Sequence, residues 1–238
     1  MFTTAHFVWV GICVALVLAM LFAGRKFRLS LRAAGGIMTA ICAFSETVKI
    51  MKDMVYSDGG GMHLNPLALP FHLCSIMMFC VVFITFGKEG KVRQAVIDFI
   101  AVVGTLSSVF ALMIPVNGVD FSQLIAYQFF VYHGGLLWFS LYLIIGGYAR
   151  LGLRAYARNI GLLLALVYII LNINGAMSAY GANFMFLVRP PMKNLPFLNL
   201  NDGWYAYFTR IISLGLALVT AFQLPFMLSR RKNKAEGG

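Results

Sequence analysis

Long apolar runs alternate with short basic stretches along the whole chain. Seven runs can be marked, at about 5–24, 31–52, 68–87, 94–114, 124–146, 158–180 and 204–228. Each is close to the roughly 20 residues needed to cross a hydrocarbon core of about 30 Å. Backbone N–H and C=O groups find no water there, so each run is predicted to be a helix. The pattern predicts an all-α polytopic membrane protein, a single domain of seven transmembrane helices over residues 1–238. No internal repeat or low-complexity linker interrupts it.

The polar stretches give the bundle a direction. Arg25, Lys26, Arg28 and Arg32 follow the first run, and Lys88, Lys91 and Arg93 follow the third. Arg150, Arg154 and Arg158 follow the fifth, and Arg230, Arg231, Lys232 and Lys234 follow the seventh. Fourteen of the 19 basic residues thus fall on one side, which the distribution of Lys and Arg assigns to the cytoplasm. The other loops hold Asp53, Asp58, His63, Asp120, Arg189, Lys193 and Asp202. The amino terminus is predicted outside and the carboxyl terminus inside. The first run has no basic residue before Phe7 and is long enough to span, so it is read as a helix rather than a cleaved signal.

Composition agrees. The chain is 61% hydrophobic and 11% charged, with mean hydropathy +0.83, against roughly 25% charged residues in soluble domains. Its net charge of +11 lies in short inter-helix clusters. Nucleic-acid binding would need basic residues interleaved with aromatics on an exposed face, so no nucleic-acid partner is expected. The four cysteines, Cys13, Cys42, Cys74 and Cys80, lack Cys-x-x-Cys spacing, and three of them read as small apolar helix residues.

The exception is Cys74, in Leu69-Pro70-Phe71-His72-Leu73-Cys74-Ser75. An imidazole and a thiol at the start of an apolar helix serve no obvious packing need. Taken by depth, at about 1.5 Å of rise per residue, other polar residues reach the same outer level. Glu46 and Lys49 come from helix two, Gln128 and His133 from helix five, Asn172 and Asn174 from helix six, and Arg210 from helix seven. A charge at the bilayer centre costs about 2.5–3.5 kcal/mol, so Glu46 and Arg210 are expected to pair, either at a site or as a lock between helices two and seven. Lys49 is expected to snorkel. Asn172 and Asn174 read first as interhelical hydrogen bonds. By contrast the inner halves hold little beyond Asp98, read as complementing a helix dipole, and Gln223. The convergence predicts a polar, partly hydrated cavity opening outward.

The outer loops frame it. Gly59-Gly60-Gly61 makes a turn before His63, and Pro66 and Pro70 bracket the start of helix three, where Pro70 suits a first turn. Residues 181–191, too apolar for an ordinary loop, read as a lid in the interface, with Trp204, Tyr205 and Tyr207 as an aromatic belt.

A thiol becomes a good nucleophile only with a base or a cation nearby. His72, two residues from Cys74, points to a different helix face. His133 is the better base, and Gly134-Gly135 beside it allows close approach of a lipid or a helix. Oxyanion donors would come from His72, Asn172, Asn183 or Gln128. Each has a plain alternative: Cys74 as a buried apolar thiol, and His133 as a hydrogen-bonded core histidine.

These residues carry a resemblance. Leu69-Pro70-Phe71-His72-Leu73-Cys74-Ser75-Ile76, Pro115, Tyr127-Gln128-Phe129-Phe130-Val131-Tyr132-His133-Gly134 and Gly181-Ala182-Asn183-Phe184-Met185-Phe186-Leu187 resemble the YwaF-type integral membrane proteins of bacteria. These in turn are similar to the eukaryotic transmembrane cysteine acyltransferase acting on ether phospholipids. The resemblance covers about helices two to seven. It implies a phospholipid acyltransferase or transacylase in a bacterial cytoplasmic membrane, with Cys74 as nucleophile and His133 as base. His72, Glu46, Gln128, Tyr132, Asn172, Asn183 and Arg210 would bind substrate or support the pair. Membrane phospholipids would be the partners, with no cofactor and no metal.

Two rivals stay open. The same residues suit a non-enzymatic transporter or sensor of a small amphiphile, although no inverted repeat supports it. A zinc-dependent lipid hydrolase would draw on His63, His72, His133 and Glu46, but no ligand-pair spacing is present.

Overall fold

The computed structural model describes residues 3–56, 61–114, 120–192, 195 and 197–235. Asp58, Gly59, Gly60, Pro115 and Lys193, singled out in the sequence, lie outside the described residues. The architecture is all-α. The helices are α1 (Thr4–Lys26), α2 (Leu31–Asp53), α3 (Leu73–Phe86), α4 (Lys91–Met113), α5 (Leu124–Ile145), α6 (Leu153–Ala176) and α7 (Gly203–Ala235). Among the described residues six of them are long and apolar enough to cross a membrane, and α3 is a shorter apolar helix of 14 residues.

Two starts are fixed by side-chain caps. The Thr3 hydroxyl accepts from the His6 N–H at 3.2 Å, and the Ser30 hydroxyl accepts from the Ala33 N–H at 3.2 Å. Each satisfies a donor that the first helical turn leaves free.

The hub is α5, which packs against α1, α2 and α4. Its glycine pair works for helices rather than for lipid. A Cβ on Gly134 would stand 2.5 Å from the Cys13 sulfur of α1, and one on Gly135 would stand 2.9 Å from Ile41 Cδ1 of α2. Small residues are what let neighbouring backbones come this close. On a third side α4 widens into a π turn at Ile100–Gly104, wholly buried, which brings Gly104 against Ser140 of α5.

The structure corrects several expectations. Helix three was predicted from 68 but α3 begins at Leu73. Asn65 caps a 3-10 turn at Pro66–Ala68, and Leu69, restricted by the proline after it, is extended at φ −56°, ψ 144°. Pro70 therefore precedes the helix instead of opening it. Helix six was predicted over 158–180, yet α6 begins at Leu153 and ends at Ala176. A 3-10 turn at Ser178–Tyr180 follows, and Gly181 closes it at φ 70°. Between α2 and α3 a hairpin forms, with β1 (Met54–Tyr56) antiparallel to β2 (Met62–Leu64) and Met54 opposite Leu64. Three-residue strands are too short to declare an alternating pattern.

Asp98 is not a dipole residue. It lies two turns into α4, fully buried, and pairs with Arg158 of α6. Its carboxylate also accepts from Gln94 Nε2 at 2.9 Å and from the Arg150 N–H at 2.7 Å. The Asn159 amide bridges the Asp98 carbonyl, at 3.3 Å, to Gln223 Oε1, at 3.1 Å. This knot ties α4, α6 and α7 together at the basic end.

Candidate functional site

Cys74 is the second residue of α3, and the residue that would cap this helix, His72, makes no side-chain cap bond. The first turn of α3 thus has no side-chain cap, and a helix N-terminus favours negative charge on a nearby atom. Near the Cys74 thiol is the Ser107 hydroxyl of α4, which donates to the Gly104 carbonyl of its own helix at 3.2 Å. Its carbonyl accepts from the Tyr132 hydroxyl of α5, which pins the first turn of α3 to the hub.

A cavity of about 200 Å³ is lined by Leu73, the residue before Cys74, and by Ser107, while Cys74 itself stands behind its wall. Leu73 and Ser107 form the wall toward Cys74, and Val103, Leu163, Met185 and Ile212 represent the other elements around it. Ser107 is its only side chain with a hydroxyl or charge. The space is smaller than the roughly 300 Å³ at which drug-sized pockets begin. It suits a narrow hydrocarbon chain better than a bulky ligand.

Residues 181–191 close over it. Ala182, Phe184 and Leu187 are buried, and Phe184 and Met185 pack with Leu69, Phe71, Val167 and Phe208. Asn174 holds the segment from α6: its Nδ2 donates to the Phe184 carbonyl at 3.0 Å, and its Oδ1 accepts from the Phe184 N–H at 2.8 Å. Trp204 Nε1 donates to the Leu187 carbonyl at 3.1 Å, and the Tyr207 hydroxyl donates to the Phe186 carbonyl. Of the expected aromatic belt, then, Trp204 and Tyr207 are fasteners; Tyr205 is 82% exposed. Met185 and Phe186 both have φ of 56°, a left-handed conformation that costs about 1–3 kcal/mol for a non-glycine residue. The strained Met185 lines the cavity and donates its N–H to His72 Nδ1 at 3.4 Å. With Nδ1 accepting, the neutral His72 ring carries its proton on Nε2 and is a donor there. The ring itself sits between Phe184 and Phe186, at 5.4 and 5.5 Å.

His133 is buried in α5, against Phe129 at 4.8 Å and Tyr132 at 5.2 Å between ring centres. Its Nδ1 is buried and has no hydrogen-bond partner among the described residues. Among the described residues no hydrogen bond joins the Cys74 thiol to the His133 ring. Tyr132, the residue next to His133, is the direct link from α5 to Cys74.

The other expected members do not converge. Glu46 pairs with Lys49 one turn along α2, at 3.6 Å, and Arg210 pairs with Asp202, so the expected Glu46–Arg210 bridge is replaced by two local pairs. Lys49 is therefore paired within its own helix rather than simply snorkelling. Gln128 donates to Ser45 of α2. Asn172 is exposed and donates to the Tyr168 carbonyl of its own helix at 2.8 Å. Asn183 spends its amide on its own loop, accepting from the Val188 and Arg189 N–H groups at 3.0 Å each. A polar group in an apolar setting takes the nearest partner, and here that partner is local. The expected polar, hydrated hollow is accordingly an apolar one with a single hydroxyl. Among the described residues no three His, Cys, Asp or Glu side chains gather to hold a metal ion.

Two site residues were missed in the sequence. Ser107 belongs to the pair Ser107-Ser108 inside an apolar run, a signal that was present. Met185 gave none, since only its backbone and position matter.

Six long apolar helices and a shorter one around a buried hub define a polytopic integral membrane protein. A thiol at a helix start, beside a lidded apolar cavity, sets the candidate site apart within that class. The model of the TMEM164 family matches residues 1–223, and the chain belongs to this family. No curated protein and no solved structure matches the chain.

Proposed function

We propose that this protein is an integral membrane phospholipid acyltransferase or transacylase that uses Cys74 as its nucleophile. One observation carries the reading: the thiol stands at the start of α3, which has no side-chain cap, next to Leu73, and Leu73 and Ser107 line an apolar cavity sized for a hydrocarbon chain. An acyl chain in that cavity would bring its ester carbonyl to the cavity's polar wall. The Cys74 sulfur attacks the carbonyl carbon, the ester C–O bond breaks, and the lysolipid oxygen leaves with the proton given up by the thiol. The hydroxyl of an acceptor lysolipid then attacks the thioester, loses its proton, and releases the Cys74 thiol.

His133 is the proton carrier in this scheme. Its unpartnered Nδ1 supports the role, and catalytic hydrogen bonds often tighten only when substrate is bound. The first-turn N–H groups of α3, which have no side-chain cap, and the Nε2–H of His72 are the candidates for holding the oxyanion. Glu46, Arg210, Asn172 and Asn183 have structural duties instead.

We also propose the sidedness set by the basic loops: amino terminus outside, α3 with the extended stretch before it as the third of seven crossings, and the Cys74 end in the outer leaflet of a bacterial cytoplasmic membrane. The resemblance to the YwaF-type proteins supports both the setting and the chemistry.

The test is a phospholipid with an alkyne-tagged acyl chain, presented in nanodiscs to wild type, Cys74→Ala and Cys80→Ala. The expected result is a hydroxylamine-labile label on wild type and Cys80→Ala, absent from Cys74→Ala. Equal labelling of Cys74→Ala, or unchanged lipid remodelling by it, would overturn the assignment. A protein that binds lipid but never forms a thioester would point to the transporter or sensor reading.

A further inference from the structure

At the end of the bundle away from Cys74, the helices that begin there, α2, α4 and α6, bring their N-termini to the wall of one cavity of about 1360 Å³. Gly90 and Gly152 precede α4 and α6, so neither start has a side-chain cap, and neither first turn has an acidic residue. The first turns of these two helices, with N–H groups that no side chain caps, lie at the cavity wall.

The charges around the cavity make this more pronounced. Arg32, Lys91, Arg93, Arg150, Arg154 and Arg158 line it, against only Glu89 and Asp98. Asp98 is taken up by Arg158, while Glu89, 88% exposed, stands 4.0 Å from Arg93. Arg32, Lys91, Arg150 and Arg154 have no ion pair among the described residues. Lys91, Arg93 and Arg154 also lie in the first turns of their helices, where the dipole already presents positive charge and a cation is disfavoured. Basic residues that only set membrane direction need to be in the loops on one side; nothing requires them to converge on one hollow with the helix starts. The Asp98 knot fixes the walls, so the positive field is preorganised.

We propose that this cavity binds a phosphate-bearing anion of two or more negative charges, a diphosphate or a phosphomonoester. Helix starts and guanidinium groups are the two protein devices best matched to phosphate oxygens, by backbone N–H donation and by bidentate pairing. A soluble compound and the headgroup of an anionic lipid in the adjoining leaflet both carry such a phosphate, and the chemistry of recognition is the same.

The experiment uses the full chain and two probes. Inorganic pyrophosphate is titrated calorimetrically into detergent-solubilised protein at low salt. Separately, nanodiscs containing phosphatidic acid or phosphatidylcholine are compared by native mass spectrometry for retained lipid. Wild type is run beside Lys91→Gln, Arg154→Gln and Lys88→Gln; Lys88 carries the same charge on the same face outside the cavity wall. The expected result is saturable binding that weakens about tenfold with each cavity variant, falls with salt, and is unchanged in Lys88→Gln. Pyrophosphate binding alone identifies a soluble source, selective retention of phosphatidic acid alone identifies a headgroup, and both together support the shared site. Absence of both, or an equal loss in Lys88→Gln, overturns the proposal. None of these outcomes depends on the acyl-transfer reading, which is tested at Cys74.

Discussion

Asn172 and Asn174 are two residues apart on α6 and face opposite fates. Asn174 is 2% exposed and makes two hydrogen bonds to the backbone of Phe184, at 2.8 and 3.0 Å, whereas Asn172 is exposed and bonded to its own helix. Replacing Asn174 by leucine keeps the volume and removes both bonds. Hydrogen bonds measured in membrane proteins average about 0.6 kcal/mol and reach about 1.7. Taking about 1 kcal/mol for each, near the middle of that range, the lid loses about 2 kcal/mol. A factor of ten corresponds to about 1.4 kcal/mol, so the open form of the segment rises about thirtyfold. Hydrogen–deuterium exchange of peptides covering 182–189, in detergent or nanodiscs, reads this directly. Asn174→Leu should exchange about thirtyfold faster there, with α5 unchanged, while Asn172→Leu should match wild type. Equal protection in the two variants would refute the view that Asn174 fastens the lid.

Gly104→Ala should destabilise the bundle by about 1–3 kcal/mol, the usual range for overpacking, because the new Cβ would stand 2.5 Å from Ser140 Oγ. Ser140→Ala removes a buried hydroxyl that has no partner and should be near neutral. Combining the two should recover most of the loss; a purely additive pair, measured by thermal unfolding in detergent, would disprove the contact. Asp98→Asn breaks a pair whose carboxylate side chain is 0% exposed but whose arginine is 38% exposed. Discounted for that solvent access, the cost is about 2–3 kcal/mol instead of the 3–5 of a fully buried pair. A loss below about 0.5 kcal/mol, the scatter of neutral surface changes, would show that the knot does not hold α4 to α6.

Helix type and order were legible because apolar runs and basic loops are long-range patterns that survive ignorance of contacts. The same reasoning fails over a few residues. Where α3 starts depends on how Asn65, Pro66 and Pro70 divide the chain among a turn, an extended stretch and a helix. The π turn at Ile100–Gly104 inserts into an unbroken apolar run that carries no mark of it. At the site, depth could be read but rotation could not. Cys74 was singled out by its chemistry, yet its neighbour Ser107, its Tyr132 contact and the apolar nature of the cavity depend on how helices face each other. Glu46 and Arg210 stand at similar depth and still pair elsewhere, with Lys49 and Asp202.

The two cavities cannot be the two ends of one bound phospholipid. Both touch α4, the basic one between Lys91 and Asp98 and the apolar one between Val103 and Phe110. Nine residues of helix at about 1.5 Å each put Ser107 about 14 Å along the axis from Asp98, the nearest α4 residue of the basic cavity. The ester of a phospholipid lies next to its headgroup, so a lipid whose ester meets Cys74 has its phosphate at the same end of the bundle as the thiol. Any influence of an anion in the basic cavity on chemistry at Cys74 must therefore pass through the protein. The shortest covalent route is α4 itself, and it runs through the π turn, where the helix departs from regular geometry and packs Gly104 against Ser140. Gly104→Ala perturbs that middle point while leaving every cavity side chain in place, including Ser107, whose hydroxyl donates to the Gly104 carbonyl at 3.2 Å, so it separates a bundle in which the ends are coupled from one in which they work independently.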